Sequence, residues 1–194
     1  MAALATLSLV LLRGVLRSPA ASSAPDGIAN GAPAPAIVGT TLDGTGFDLA
    51  SLRGRPVLIN FWGPSCVPCR AEFPLFKAKL AERASDGIAI VGVLMYDSIP
   101  DAKAFIAQYG ATWPTVADPN QAISTAYRVA ARPQTYFIDR DGILRSIQVG
   151  QLVDADFERQ LALIDGPAGG SGGAGGSGAG GSGATGIGAS STAP

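Results

Sequence analysis

Residues Pro56-Val57-Leu58-Ile59-Asn60-Phe61-Trp62 form a nearly continuous apolar run of strand length. Successive side chains of a strand point to opposite faces, so a run that is apolar at both parities reads as a central strand covered on both sides. The next segment supplies one cover. From Cys66 to Glu82, Phe73, Phe76 and Leu80 recur at spacings of three and four, the apolar face of a helix, with a kink predicted at Pro74. Ile88 to Met95 is a second buried strand, and a strand–helix–strand succession favours a parallel pair at the sheet centre.

The remaining elements extend this layout. Ile37 to Leu49, with Asp43-Gly44 at its centre, reads as a hairpin ahead of the central strand. Asp101 to Tyr109 is a helix entered by Pro100 and ended by Gly110, and a short helix near Asn120 to Tyr127 precedes a strand from Gln134 to Asp139. Asp141-Gly142 turns that strand back into Ile143 to Val149, an antiparallel edge hairpin. A last helix starts near Asp154 and buries Phe157, Leu161 and Ile164. The expected class is α/β, a central mixed sheet flanked by helices with an N-terminal β-hairpin extension. No internal repeat is present.

Both ends differ from this body. Ala2 to Leu12 is an eleven-residue apolar run, too short to span a bilayer but the length of a secretory signal core, without the usual positive charges before it. Residues 1–18 are read as an export signal or clipped membrane anchor, and 19–31, rich in Pro, Ala and Ser, as a linker. Thirteen of the 26 glycines lie after Ile164, in a stretch from Gly166 to Pro194 without charge and almost without apolar side chains larger than Ala. Residues 166–194 therefore read as a disordered tail that cannot build a core. The folded domain is expected over 32–165, enough chain for one well-buried core.

Composition removes several chemistries. Lys+Arg number 14 against 15 Asp+Glu, with no basic run, which argues against nucleic acid as a partner. There is no His, so triads and His metal sites are excluded, and two Cys cannot make a four-cysteine zinc site within one chain. No metal and no cofactor are expected, beyond what the two thiols do themselves.

Those thiols, Cys66-Val67-Pro68-Cys69, stand where the strand ending at Trp62 gives way to a helix. The first-turn amides of a helix lack intrahelical partners and the dipole adds partial positive charge, so a thiolate at Cys66 is favoured over the thiol. Cys69 lies inward and within disulfide reach, which lets the pair alternate between dithiol and disulfide, Cys66 attacking and Cys69 resolving. The same residues also admit a plain structural disulfide or two core thiols.

At these positions the chain resembles the thioredoxin superfamily, more narrowly the exported TlpA/ResA and DsbE/CcmG branch of thiol:disulfide oxidoreductases. The resemblance runs from about Ala32 to Leu163. It rests on Gly31-Ala32-Pro33-Ala34-Pro35, on Gly54-Arg55-Pro56 through Trp62, on Cys66 to Pro74, and on Ala131-Arg132-Pro133-Gln134-Thr135-Tyr136-Phe137-Ile138-Asp139 followed by Asp141-Gly142. It implies a thioredoxin-like fold with a cis peptide before Pro133, facing the Cys66–Cys69 pair. A substrate chain would then dock against Arg132, Pro133, Pro68 and Trp62, the last a core residue first and a wall of the site second.

Four positions depart from the pattern. Arg132 stands where small or β-branched residues are more usual; it would either favour the Cys66 thiolate or select acidic partners, unless it is merely solvated. Ser65 replaces the Trp of many relatives. Asn60 replaces the buried carboxylate of cytosolic thioredoxins, and Glu72, one turn beyond Cys69, would supply that carboxylate as its counterpart does in the ResA-like branch. Read alone, Glu72 is equally a surface residue favoured by the helix dipole. Gly63 stands where a thiol peroxidase of the peroxiredoxin type carries Thr. Trp113 reads as a packing residue.

The implied function is an extracytoplasmic protein-disulfide oxidoreductase, most directly a reductant of disulfides such as those of apocytochrome c. It would be fed by a membrane thiol-reductase donor and work as a monomer. A non-enzymatic thioredoxin-fold module with a structural disulfide is the reading from a different class. For residues 166–194 the expectation is testable: truncation at Pro167 should leave thermal stability and redox turnover unchanged, because Gly-Gly-Ser-Gly and Gly-Gly-Ala-Gly repeats carry no side chains to offset the entropy of ordering. A lowered melting temperature or rate would overturn it.

Overall fold

The computed structural model describes residues 28–166. The export segment, most of the linker and all but the first residue of the tail lie outside the described residues. Strand β3 (Val57–Trp62) is buried at all six positions and sits at the centre of a five-stranded sheet. It pairs in parallel with β4 (Ala89–Leu94) and antiparallel with β6 (Gln134–Ile138). Outside these lie β5 (Thr115–Ala117), parallel to β4, and β7 (Leu144–Val149), antiparallel to β6. The sheet is therefore mixed, with order β5-β4-β3-β6-β7. Strand β5 has no counterpart in the sequence reading: three residues after Trp113-Pro114 are too short to display a period.

The expected hairpin forms a separate two-stranded sheet of β1 (Val38–Thr40) and β2 (Gly46–Asp48). At its turn the Asp43 carboxylate accepts from the Thr45 amide at 3.1 Å and from the Thr41 hydroxyl. The hairpin closes on the exposed side of β5, where the Leu42 N–H donates to the Thr115 carbonyl at 2.8 Å. An edge strand is thus not left as an open template for pairing. Residues ahead of Ala32 are also joined to the sheet: the Gly31 N–H donates to the Leu144 carbonyl at 2.7 Å, and the Leu144 N–H to the Ala32 carbonyl at 2.9 Å.

Helix α1 (Val67–Glu82) runs without interruption through Pro74. Helix α2 (Ile99–Tyr109) begins two residues before the expected Asp101, because the Ser98 hydroxyl caps it by accepting from the Asp101 amide at 3.2 Å. It ends at Gly110, whose φ of 62° is the left-handed conformation that glycine adopts without a Cβ clash. A short α3 (Ala122–Ala126) and α4 (Asp154–Leu161) complete the set.

The alternation of β3 divides the interior into two cores. Leu58 and Trp62 join Ile90, Leu94 and Phe137 beneath Phe73, Phe76, Phe105 and Phe157 of the helices. Val57, Ile59 and Phe61 join Val91, Val93 and Tyr136 beneath Ile37 and Tyr127, with Phe47 and Leu49 packed around them. On the first face α4 is tied to α1 by Lys79, whose ammonium lies 2.7 Å from both Asp154 and Glu158 and 3.1 Å from Glu82. These carboxylates hold the Lys79 pKa above its ordinary value. On the second face the Tyr127 hydroxyl donates to the Pro35 carbonyl at 2.6 Å, and Gln134 donates to the Tyr136 hydroxyl, which donates to the Tyr127 carbonyl. The Gln134 side-chain oxygen Oε1 accepts from the Ala130 amide at 3.0 Å, so the loop leading into β6 is fixed at both ends.

Phe73 is the hub of the first core, its ring centroid 4.6 Å from Trp62, 4.8 Å from Phe105 and 5.1 Å from Trp113. Phe73→Ala should lower unfolding free energy by about 3–5 kcal/mol. The check is a lower urea midpoint at unchanged m-value; a loss under about 1 kcal/mol would contradict the hub position.

Candidate active site

The chain leaves β3 through Gly63-Pro64-Ser65 and closes a tight turn in which the Cys66 N–H donates to the Gly63 carbonyl at 3.1 Å. Cys66 is the N-cap of α1: its sulfur accepts from the Cys69 amide at 3.2 Å, one of the first-turn donors that the helix itself cannot satisfy. Cys66 and Cys69 form a disulfide, with an S–S distance of 2.00 Å and Cα atoms 5.2 Å apart. Cys66 retains 9% exposure while Cys69 has none. Val67 and Pro68 between them are exposed, so whatever reaches this bond approaches from the Cys66 side.

Glu72 lies in the core rather than on the helix surface. It is fully buried, and each carboxylate oxygen has a partner: Oε2 accepts from the Asn60 side-chain amide at 3.1 Å and Oε1 from the Leu152 N–H at 2.7 Å. Asn60 spends its other contact on the Thr135 hydroxyl at 2.9 Å, its neighbour across the β3–β6 ladder. Two residues whose roles were separate in the sequence thus meet, the neutral amide of β3 holding the carboxyl group of α1. Desolvation dominates these two hydrogen bonds and raises the Glu72 pKa from its ordinary 4.5 to about 7.

The Arg132–Pro133 peptide is cis. Continuing the β3–β6 register one step beyond Phe61 opposite Gln134 sets Pro133 across from Trp62, at the mouth of the Cys66 turn. The backbone of Arg132 takes part in no hydrogen bond among the described residues, while the Pro133 carbonyl accepts from the Gly150 N–H at 2.9 Å. Trp62 does not form a wall of the site: with 0% exposure it packs on Phe73 and Phe105 and offers a substrate no surface. Trp113, 7% exposed, packs as expected.

Arg132 is neither solvated nor a free positive charge. Its guanidinium lies 2.6 Å from the Asp97 carboxylate, donates to the Met95 carbonyl, stands 5.5 Å from the Tyr96 ring centroid and reaches the Ser65 hydroxyl at 3.4 Å. Ser65 in turn donates to Asp97 at 2.8 Å. Asp97 was not among the residues picked out by sequence. Its only signal is its place just beyond the C-terminal end of a buried parallel strand, next to the end of β3 that leads into the thiols.

Residues 30–147 match the AhpC/TSA family. The chain belongs to this family. Over 137 residues it is 33% identical to thiol-disulfide oxidoreductase ResA of Geobacillus kaustophilus, spanning 71% of this chain and 79% of the relative. A thiol:disulfide interchange protein of the thioredoxin family from Chlorobium tepidum TLS superposes with a TM-score of 0.65 at 29% identity, covering 71% of this chain and 99% of that one. A secreted Mycobacterium tuberculosis disulfide oxidoreductase homologous to E. coli DsbE gives 0.59 at 26% identity, over 65% and 94% of the two chains. The protein is a thioredoxin-like thiol-disulfide oxidoreductase of the ResA/DsbE type carrying a Cys66–Cys69 pair.

The raised Glu72 pKa has a consequence for stability. Between pH 4.5 and about 7 the folded chain holds a proton on Glu72 that the unfolded chain has released. Its contribution is therefore whole below pH 4.5 and is lost as pH rises to about 7. At 1.36 kcal/mol per pK unit the loss is about 3 kcal/mol. Glu72→Gln should remove this slope. Urea unfolding at pH 4.5 and pH 8 should show wild type losing stability relative to the variant at the higher pH; an equal difference at both would contradict the assignment.

Proposed function

We propose that this protein works outside the cytoplasm as a reductant of protein disulfides, with Cys66 as the attacking thiol, Cys69 as the resolving thiol and Glu72 as the proton acceptor for Cys69. The observation that carries this reading is the pairing of Cys66, which keeps a little exposure at the start of α1, with Cys69 and Glu72 of the same helix, which have none.

In the dithiol state the Cys66 thiolate attacks one sulfur of a substrate disulfide, forming a mixed disulfide and releasing the other sulfur as a thiolate. Cys69 then loses its proton and attacks Cys66, which breaks the mixed disulfide, frees the second substrate sulfur and leaves the Cys66–Cys69 disulfide. Two electrons pass to the substrate, and a thiol-reductase donor in the membrane must return two electrons and two protons. A carboxyl group with a pKa of about 7 exchanges protons readily near neutral pH, which suits Glu72 to the second step. The Arg132 backbone, free of hydrogen bonds among the described residues, and the exposed Pro68 would offer an extended substrate segment a place to pair beside the disulfide.

Several observations support the finer reading. Relatives named ResA and a secreted relative homologous to DsbE support a location outside the cytoplasm. No helix among the described residues is long and apolar enough to cross a membrane. A substrate such as apocytochrome c, whose haem-attachment cysteines must stay reduced, suits a monomeric reductant with a CVPC site. A thiol peroxidase is disfavoured at Gly63, which lacks the Thr of that chemistry and where a Cβ would stand 2.1 Å from the Asp97 carboxylate and 2.3 Å from the Arg132 guanidinium, so that a side chain there would have to displace the ion pair.

The order of the thiols is open to direct test. Cys69→Ser should accumulate a stable mixed disulfide between Cys66 and a substrate protein, whereas Cys66→Ser should trap nothing and fail to reduce insulin with dithiothreitol as donor. Glu72→Gln should slow resolution while leaving the first attack nearly unchanged. Trapping by Cys66→Ser instead would reverse the assigned polarity of the helix entrance.

A further inference from the structure

The Asp97–Arg132–Ser65 cluster joins the residue before Cys66 to the residue before Pro133. Asp97 and Arg132 are largely enclosed, with side-chain exposures of 12% and 19%. Three strand ends meet here: Ser65 follows β3, Asp97 follows β4 and Arg132 precedes β6. The pair lies directly against the backbone of buried Gly63, and the Met95 carbonyl that receives Arg132 would stand 3.0 Å from a Cβ at that position. Tyr96, with φ of 57°, adopts the left-handed conformation uncommon for a side-chain-bearing residue and places its ring over the Arg132 guanidinium. Its hydroxyl donates to Gln121 at 2.9 Å, which anchors the ring from the far side.

The geometry points to Asp97 as a positioning residue for the thiol reaction: it holds the Arg132 guanidinium in a closed pair over Gly63 and thereby keeps an uncompensated positive charge away from Cys66. This inference rests on Cys66 being the attacking thiol. A guanidinium is always charged, and within a few ångströms of a thiol at low dielectric it would shift the thiol strongly toward thiolate. Paired with Asp97 it presents a dipole instead, and the reactivity of Cys66 is left to the helix start. The other charged groups of the thiol helix near Cys66 are Arg70, whose guanidinium lies 5.8 Å from the Phe105 ring centroid, and Glu72 in the core beneath. Neither belongs to the cluster, and neither is altered in the variants below. The Ser65 hydroxyl bridges both partners, so the pair also fixes the residue preceding the nucleophile.

The test is the pH profile of Cys66 alkylation by iodoacetamide in the reduced full-length protein, for wild type, Asp97→Asn, Arg132→Met and the double variant. Asp97→Asn should move the profile to lower pH, raising the rate below the wild-type midpoint by roughly threefold to tenfold, the factor for a shift of half to one pK unit. Arg132→Met, which leaves Asp97 uncompensated, should move it to higher pH. The decisive comparison is that Asp97→Asn shifts the profile less when Arg132 is already Met, because the released guanidinium is then missing. Equal shifts in both backgrounds, or none, would overturn the inference and leave Asp97 a purely structural residue. Should Asp97→Asn not fold, Arg132→Met decides alone, an unmoved profile again overturning it. A wild-type Cys66 that resists alkylation after reduction would instead sink the proposed function, a separate outcome.

Discussion

Strand β3 has no face that meets water, and each part of the site is fastened to it. Its burial at six consecutive positions requires a helical layer on one side and the hairpin layer on the other. The strand delivers Cys66 at its C-terminal end through a turn closed on Gly63, while its ladder partner β6 delivers Pro133 to the same end. Asn60, the single polar residue in the run, faces the helical layer and meets Glu72 there. The two sulfurs, the cis proline and the buried carboxyl group are thus set by one register, and a one-residue slip would swap the two faces of β3 and carry Asn60 away from Glu72 into the opposite, apolar core.

Placing a carboxyl group inside an apolar layer is unfavourable, and the structure reduces that cost without removing it. Both oxygens of Glu72 are hydrogen-bonded, one to a side-chain amide and one to a backbone N–H, and both donors are neutral. A lysine or arginine partner would have held the carboxylate charged at every physiological pH, as Lys79 of the same helix does for Glu158, whose pKa is lowered. With neutral donors alone desolvation prevails, and the group comes to titrate near 7. The Lys79 cluster has an indirect part in this arrangement. By clamping α4 to α1 it holds the loop that carries Leu152, and hence the amide that faces Glu72.

Much of this was legible in the sequence because it rests on local signals. The apolar run, the helical spacing of Phe73 and Phe76 and the turn at Asp141-Gly142 each depend on neighbours along the chain, and each appears in the structure as an element of the expected type. What escaped depends on contacts between distant residues. Strand β5 is held by two short pairings, one to β4 and one to the hairpin, neither of which leaves a pattern in three residues. The burial of Glu72 is set by Leu152, eighty residues on, and helical spacing alone could not separate it from a surface position. The neutralisation of Arg132 depends on Asp97, thirty-five residues earlier in the chain. Trp62 was assigned a part in substrate docking from resemblance, yet the aromatic cluster around Phe73 encloses it.

Under the proposed mechanism the two thiols answer to different charged groups around the disulfide. On the inner side stands a carboxyl group that gains and loses a proton near neutrality, within the same helix as Cys69. On the outer side the Arg132 charge is closed off by Asp97 and lies flat against Gly63, leaving the first-turn amide of α1 as the group in contact with the Cys66 sulfur. The field of a first-turn amide is felt only within about that turn and does not change with pH. On the proposed thiol order the outer sulfur answers to backbone geometry and the inner one to a titrating side chain, and Gly63 leaves the ion pair room to lie against the turn, since a Cβ there would fall 2.1 Å from the Asp97 carboxylate.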